Sequence, residues 1–186
     1  MKTLPLILLT LLCSILHIPG AMAQKTFQLD PKPALKISGT STLHDWEMTS
    51  GSAKGKLVAT EAQGTLATIT SLNVEMPAES LKSGKKAMDK KAYDALKTDK
   101  YNAVKFELTQ ATKTVAGWNL KGNFTIAGIT KEVTITVKET SAGGQHTLSG
   151  QYGFKLTDYK ITPPTALMGT IKTGDAVKIS FTVSFK

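Results

Sequence analysis

The sequence predicts an all-β fold: an antiparallel eight-stranded barrel with a short helical insertion around residues 80–98. Most of the chain alternates apolar and polar residues at period two, which is the pattern of strands that bury one face. Glycines and prolines separate these segments at intervals that suit tight turns. Between two of the alternating segments, a lysine-rich stretch changes to the helical period, which accounts for the insertion.

The N-terminal residues are typical of a secretory signal peptide. Lys2 precedes an apolar run (4–18), and a Pro-Gly break and an Ala-Met-Ala sequence predict cleavage before Gln24. The run is shorter than the ~20 apolar residues that a membrane-spanning helix needs. We therefore expect residues 1–23 to be removed and residues 24–186 to form one periplasmic or secreted domain.

Composition excludes several classes of site. Cys13, the only cysteine, would leave with the signal peptide, so the mature protein could hold neither a disulfide nor a thiolate-bound metal. The formal charge of +9 comes from lysine alone, because the chain contains no arginine. Arginine makes the bidentate contacts that recognise phosphates and guanine bases, so we expect no specific nucleic-acid binding. Solubility and attraction to anionic surfaces account for the charge.

Three strands are predicted before the helical segment, at residues 35–41, 46–59 and 66–77, each with one apolar face. Within the helical segment, Met88, Ala92 and Leu96 stand four residues apart and would form an apolar stripe on one face of the helix. Lysines and aspartates cover the remaining faces. We expect the stripe to cap the barrel while the charged faces meet water.

Five further strands are predicted after the helix. Their alternating apolar residues begin at Val104, Trp118, Val133, Leu148 and Val177. Short connections favour an antiparallel meander closed into a barrel, because closure removes exposed strand edges. An outer-membrane barrel would also alternate, but Thr, Ser and Lys on the second face favour a soluble barrel with an apolar interior.

Three features of the central and C-terminal chain stand out together. They are the strand-helix-strand unit of residues 71–108, the Lys-Tyr-Asn-Ala-Val-Lys-Phe sequence at 100–106, and the Leu-Lys-Gly-Asn-Phe-Thr-Ile-Ala-Gly-Ile-Thr-Lys-Glu-Val hairpin at 120–133. In order and spacing they resemble the YceI-like family of periplasmic polyisoprenoid-binding proteins. Asn102 stands where that family usually has proline, and residues 37–46 differ from its usual N-terminal strand. The resemblance implies a lipocalin-like barrel whose elongated cavity takes a long isoprenoid chain.

Few side chains suggest catalysis. His44 and His146 lie on separate segments, and neither has a second ligand at metal-binding spacing. Adjacent strand residues point to opposite faces, so His44 and Asp45 would not form a base with its orienting group. We expect Asp45 or Thr42 to make a turn there. Neither a Gly-x-Ser-x-Gly elbow nor a glycine-rich phosphate loop is present. We expect no enzyme activity, no metal and no cofactor; an enzyme that uses His44 or Asp45 is a rival hypothesis.

The predicted function is to carry or store a long-chain isoprenoid, quinone or similar apolar lipid in the barrel lumen. The apolar residues expected to line the lumen are Trp46, Met48, Met76, Phe106, Trp118, Leu120, Phe124, Phe154, Ile179 and Phe181. The lysines proposed as a rim for a headgroup or a membrane surface are Lys85, Lys86 and Lys90. Two glycines on the inward phase, Gly122 and Gly150, would either leave space for a tail or relieve a bend. The alternative is a structural or stress-response barrel with a filled core and no ligand.

Overall fold

Eleven strands and one α-helix make up residues 23–186, the part of the chain that the computed structural model describes. The strands before the helix are β1 (Gln24–Gln28), β2 (Ala34–Ser41), β3 (Trp46–Ser50), β4 (Lys54–Ala62) and β5 (Thr65–Pro77). The helix, α1, spans Lys86–Leu96 and follows a short 3₁₀ turn at Ala78–Ser80. The strands after it are β6 (Ala103–Thr114), β7 (Gly117–Ile126), β8 (Ile129–Ala142), β9 (Gln145–Lys155), β10 (Thr165–Ala166) and β11 (Ile171–Phe185). The predicted signal peptide, except for Ala23, lies outside the described residues.

Ten of these strands pair antiparallel in the order β1-β4-β5-β6-β7-β8-β9-β11-β2-β3, and the two-residue β10 pairs with the start of β11. The result is a strongly curled half-barrel with β1 and β3 at its edges. Register shifts between β4 and β5, β6 and β7, and β11 and β2 interrupt the ladders. Such irregularities bend strands and increase their twist, which helps the long strands to curl.

The predicted antiparallel β fold with one helical insertion is confirmed. The predicted closed barrel is wrong, because β3 pairs with β2 and bridges to Lys82 instead of pairing with β1, so the sheet is a half-barrel with two edges. The predicted count of eight strands is also wrong. Residues 46–59 are two strands, because Ser50 turns the chain: its Oγ accepts a hydrogen bond from the Ser52 N–H at 3.1 Å. Strand β1 was not predicted, because Phe27 is its only buried residue and gives no alternation to detect. β10 is too short to show a period.

The strand pairing separates two ends of the half-barrel. The β4–β5, β6–β7 and β8–β9 turns share one end, called here the hairpin end. The opposite end, called the helix end, carries α1, the β2–β3 turn and the connection of residues 156–170. Backbone hydrogen bonds between Gln28 and Lys186, at 2.8 and 3.0 Å, join the end of β1 to the chain terminus after β11. The edge strand β1 is therefore tied to a second strand besides β4.

The helix lies where the sequence predicts it, and its apolar stripe has the predicted role. Met88, Ala92 and Leu96 pack against a small cluster of buried residues, namely Met48, Met76 and Leu81. Asp89, on another face, accepts hydrogen bonds from the Ser83 N–H and Oγ at 2.8 and 2.6 Å, which lower the pKa of its carboxyl group. Among residues 23–186, no helix is long and apolar enough to cross a membrane.

Gly122 and Gly150 do not leave space for a lipid tail. A Cβ at Gly122 would stand 2.6 Å from the Phe106 ring and 2.5 Å from the Glu107 carbonyl oxygen. A Cβ at Gly150 would stand 2.9 Å from the ring of Phe181, its cross-strand partner. Aromatic rings therefore already occupy the space above both glycines. The sequence identified both positions as unusual but could not show which neighbour uses the gap.

Candidate functional site

An apolar cavity of about 170 Å³, called here the inner cavity, lies within the curled sheet. Side chains from β2, β5, β6, β7, β8, β9 and β11 surround it. They share it because alternate residues of every strand face the concave side of the sheet. Seven of the predicted lining residues are among them: Met76, Phe106, Leu120, Phe124, Phe154, Ile179 and Phe181.

Two lysines also border the inner cavity, but their charges point away from it. The Lys36 Nζ lies 3.1 Å from Glu47 Oε2, and the Lys105 Nζ lies 3.3 Å from Glu75 Oε2. The side chains of all four residues are substantially exposed to solvent. The lysines therefore contribute their aliphatic stems to the wall while their ammonium groups stay in water.

A second cavity of about 390 Å³, called the mouth cavity, lies at the helix end. It is bordered by α1, by the β2–β3 turn and by residues of the connection into β11. Trp46 and Met48, predicted as lumen residues, line this cavity instead of the inner one. Both are on β3, the edge strand next to the helix end.

Five apolar residues border both cavities and form the boundary between them, called here the neck. Its members are Ile37, Leu81, Leu96, Leu156 and Ile161. These residues come from four parts of the chain. They are β2, the segment before α1, the last turn of α1 and the segment before β10. The boundary between the two cavities is therefore apolar, with no polar side chain among the residues that line both.

The lysines of the predicted rim occupy different positions. Lys85, which precedes α1, borders the mouth cavity, whereas Lys86 and Lys90 are exposed on α1 away from its wall. Lys91, which the sequence did not single out, borders the mouth cavity instead. The helical period places all four lysines off the apolar stripe. It does not show which side of the helix faces the mouth cavity.

Trp118 is deeply buried but lines neither cavity. Its Nε1 donates a hydrogen bond to Glu139 Oε2 at 2.7 Å near the hairpin end. Glu139 Oε1 in turn accepts from the Leu66 N–H and from Ser141 Oγ, both at 2.8 Å. The inward phase predicted for Trp118 is correct, but the residue stands beyond the inner cavity along the strand.

A buried histidine extends this polar network. His146 is fully buried, with Nδ1 2.7 Å from Ser141 Oγ and Nε2 2.9 Å from Glu61 Oε1. The Phe27 ring packs edge-on against the imidazole at 4.8 Å between centroids. The trio has the composition of a serine-histidine-acid triad, but the imidazole borders neither cavity and has no access to a substrate. The sequence missed the network because Glu61, Ser141 and His146 come from three different strands.

His44 and Asp45 do not form an acid-base pair. His44 Nδ1 lies 2.6 Å from the Asp45 backbone oxygen, in the turn between β2 and β3. The turn is organised by Ser41, whose Oγ accepts from the N–H groups of Leu43 and His44 at 3.2 Å, and not by Asp45 or Thr42. Within residues 23–186, no three His, Cys, Asp or Glu side chains are grouped as metal ligands would be.

The YceI-like domain model matches residues 27–185, which is nearly the whole of the described chain. The chain belongs to the YceI-like family. Comparison of this YceI-like protein with curated protein sequences finds no match.

Solved structures share the fold of this YceI-like protein at low sequence identity. BcnA from Burkholderia cenocepacia is 17% identical, with a TM-score of 0.68 over 82% of this chain and 95% of BcnA. A polyisoprenoid-binding domain from Saccharophagus degradans, described as implicated in plant cell wall breakdown, is 9% identical, with a TM-score of 0.67 over 86% of this chain and 97% of that domain. The Campylobacter jejuni YceI protein is 18% identical, with a TM-score of 0.55 over 70% and 79% of the two chains. At these identities the structures show the shared fold alone.

The Glu139 network predicts how the stability of this YceI-like protein depends on pH. Burial raises the pKa of the Glu139 carboxyl group, but hydrogen bonds from Leu66, Trp118 and Ser141 outweigh it and lower the pKa below 4.5. The pKa of Glu139 is therefore lower in the folded state than in the unfolded state. Ionised Glu139 stabilises the fold above about pH 4.5, and this stabilisation is lost as the pH falls through the pKa of the folded state.

We therefore expect the free energy of unfolding of Glu139→Gln to depend less on pH in the acid range than that of the parent protein. The measurement is the free energy of unfolding in urea at several pH values from neutral to strongly acidic. Glu132→Gln is the matched control, because Glu132 forms only an exposed pair with Lys121 and should leave the slope unchanged. An equally steep acid limb in Glu139→Gln would contradict the prediction.

Tyr159 offers a substitution that should stabilise the fold. Its ring is buried against Phe124 and Phe154, at 6.0 and 5.1 Å between centroids. Its hydroxyl group is buried and has no hydrogen-bond partner among the described residues. Removing an unpaired buried hydroxyl relieves its desolvation cost, so Tyr159→Phe should raise the free energy of unfolding by about 1 kcal/mol. Urea denaturation measures the change. Tyr101→Phe, at a partly exposed ring outside this aromatic cluster, is the control, and a loss of stability in Tyr159→Phe would refute the prediction.

Proposed function

We propose that this YceI-like protein binds a long-chain isoprenoid, quinone or similar apolar lipid and carries or stores it. The observation that supports this most directly is that the inner cavity and the mouth cavity adjoin across a neck whose residues are all apolar. The mechanism is passive sequestration, with the tail in the inner cavity and its polar end toward the helix end. The relative from Saccharophagus degradans is described as a polyisoprenoid-binding domain, which agrees with this choice of ligand.

Hydrophobic contact alone is sufficient for useful affinity. The two cavities together fall within the range of about 300–1,000 Å³ that is usual for ligand pockets. Burying ten methylene-sized groups at about 0.8 kcal/mol each contributes about 8 kcal/mol, which corresponds to micromolar binding before ordering costs. The ligand therefore needs no catalytic group or ion to hold it, and we propose a non-catalytic role.

The lysines at the helix end would act on the polar end of the ligand. Lys85 and Lys91 border the mouth cavity, and Lys86 and Lys90 add positive charge on the exposed side of the same helix. Such a field favours an anionic headgroup, such as a phosphate, at the mouth, and it attracts an anionic membrane surface. The predicted signal peptide supports a periplasmic or secreted location for the carrier.

The alternative is a filled barrel with a structural or stress-response role and no ligand. The observation in its favour is that Phe106 and Phe181 occupy the space above Gly122 and Gly150, which reduces the free interior. The two functions differ in a single measurable property. A carrier should retain lipid when it is isolated, whereas a filled barrel should not.

Native mass spectrometry of the protein isolated gently from its secretory compartment tests the proposal. We expect a mass increase that corresponds to one long-chain lipid, and denaturing extraction should release and identify it. Titration of delipidated protein with an isoprenoid alcohol and with a quinone then compares the two headgroup types. A clean apo mass that does not shift with either compound would reject the carrier function and favour the filled barrel.

A further inference from the structure

Three large apolar side chains project into solvent at the helix end. Leu43 is 65% exposed, Leu167 72% and Met168 fully exposed at 108%. Leu43 lies in the β2–β3 turn, and the other two lie in the short 3₁₀ turn Leu167–Gly169, which precedes β11. A soluble domain usually scatters such residues singly, so three on neighbouring loops call for an explanation.

Hydrogen bonds hold these two loops side by side. The Thr42 Oγ1 donates to the Thr170 carbonyl oxygen at 3.2 Å, and the Thr42 N–H donates to the Lys172 carbonyl oxygen at 3.0 Å. Leu43 borders the mouth cavity, and so do Thr165 and Ala166 of β10, which directly precede Leu167. The exposed apolar residues therefore form one group at the rim of the mouth, called here the apolar tip (Leu43, Leu167 and Met168).

The backbone presents two members of the apolar tip in an unusual conformation. Leu167 has a φ of 48° and Met168 a φ of 57°, in the left-handed region that side-chain-bearing residues rarely adopt. Consecutive residues in this region cost conformational energy, and their exposed side chains gain little packing in return. A partner that buries both side chains would offset this cost.

Positive charge borders the apolar tip. Lys85 and Lys91 line the same mouth cavity as Leu43, and Lys86 and Lys90 extend the charge along α1. The acidic residues of α1 are Asp89, which is buried and bonded to Ser83, and Asp94, so the exposed surface of the helix is net positive. Apolar side chains beside a row of lysines are typical of proteins that bind the interface of an anionic bilayer.

We propose that the helix end docks on the surface of a bilayer that contains anionic lipid. The apolar tip enters the interfacial region, the lysines of α1 contact lipid phosphates, and the mouth cavity opens toward the acyl chains. The proposal extends beyond lipid binding, because docking does not require an occupied inner cavity. It would let an apolar tail pass between the bilayer and the cavity without crossing water.

Vesicle co-sedimentation tests the docking surface. A chain that begins at Gln24 is used, because the apolar run at 4–18 would itself bind lipid and the described sheet is complete without it. We expect binding to phosphatidylcholine vesicles that contain phosphatidylglycerol, and weaker binding to pure phosphatidylcholine or at high salt. The double variant Leu167→Asp with Met168→Asp should reduce the partition coefficient roughly tenfold or more.

The matched control is the double variant Val115→Asp with Ala116→Asp, which places the same two charges on two exposed apolar residues of the β6–β7 turn, at the hairpin end. It should bind vesicles within about twofold of the parent protein. Leu43→Asp provides a second, single-site test if the double variant of the apolar tip does not fold. Equal binding of the parent and the tip variants, equal loss in the control with Val115→Asp and Ala116→Asp, or no binding of the parent to anionic vesicles would overturn the proposal. A variant whose neck is blocked by a larger side chain at Leu96 should still bind vesicles. Loss of docking and loss of lipid carriage can therefore be told apart.

Discussion

Replacing Leu96 with Trp is expected to weaken lipid binding strongly while leaving the sheet intact. Leu96 stands in the neck, where it borders both the inner and the mouth cavity. An indole there would block the route that we propose for a tail into the inner cavity. We expect the affinity for an isoprenoid alcohol to fall by roughly tenfold or more, which corresponds to at least about 1.4 kcal/mol. A loss of native stability of about 1–3 kcal/mol is expected where the larger ring is overpacked.

The measurement is titration of delipidated protein, followed by native mass spectrometry for bound lipid. Asp94→Trp is the matched control, because it adds the same ring to an exposed position on the same helix. It should bind lipid as the parent protein does. If Leu96→Trp retains full affinity with the fold intact, the neck is not the route to the ligand, and the proposed path is wrong.

The largest expected loss of stability comes from His146→Ala. The substitution removes both hydrogen bonds of the imidazole, leaves Glu61 and Ser141 without this partner, and opens a void beside Phe27. Glu61 keeps its hydrogen bond from Lys25, so its charge is not left entirely without compensation. Cavity formation and unpaired polar groups together predict a loss of about 3–5 kcal/mol in the free energy of unfolding.

Urea denaturation at neutral pH measures this loss. His44→Ala is the control, since His44 lies in a surface turn and should change the free energy of unfolding by less than about 0.5 kcal/mol. His146→Gln, which can keep one of the hydrogen bonds, should recover part of the loss. Lipid binding by the folded fraction of His146→Ala should be unchanged, because the residue borders neither cavity. A variant that keeps its stability would show that the network does not support the fold.

The lining of the inner cavity was largely predictable, and Trp118 shows where the prediction ended. Alternation identifies the face of a strand, so residues such as Phe124 and Ile179 were assigned correctly to the concave side. It carries no information on depth along the barrel. Trp118 faces inward like the others, but its position near the β6–β7 turn places it at the hairpin end, beyond the cavity.

The rim lysines show the same limit for the helix. The stripe of Met88, Ala92 and Leu96 predicted the buried face of α1 correctly. The helix's direction across the mouth depends on the short turn at Ala78–Ser80 and on packing against the buried cluster that contains Met48. These contacts bring Lys91 to the mouth wall and leave Lys86 and Lys90 outside it.

By itself the sequence determined the local structure and the chemical character of the interior. Period-two alternation and the four-residue spacing in α1 depend on neighbours within a few residues, and both appear in the structure. The tertiary structure decided the ten-strand path, the neck and the buried network around His146. Each of these joins residues far apart in the chain, and each depends on how side chains from different strands fill one space. The rings above Gly122 and Gly150 are the clearest case, because only folding shows that a missing side chain makes room for a neighbour.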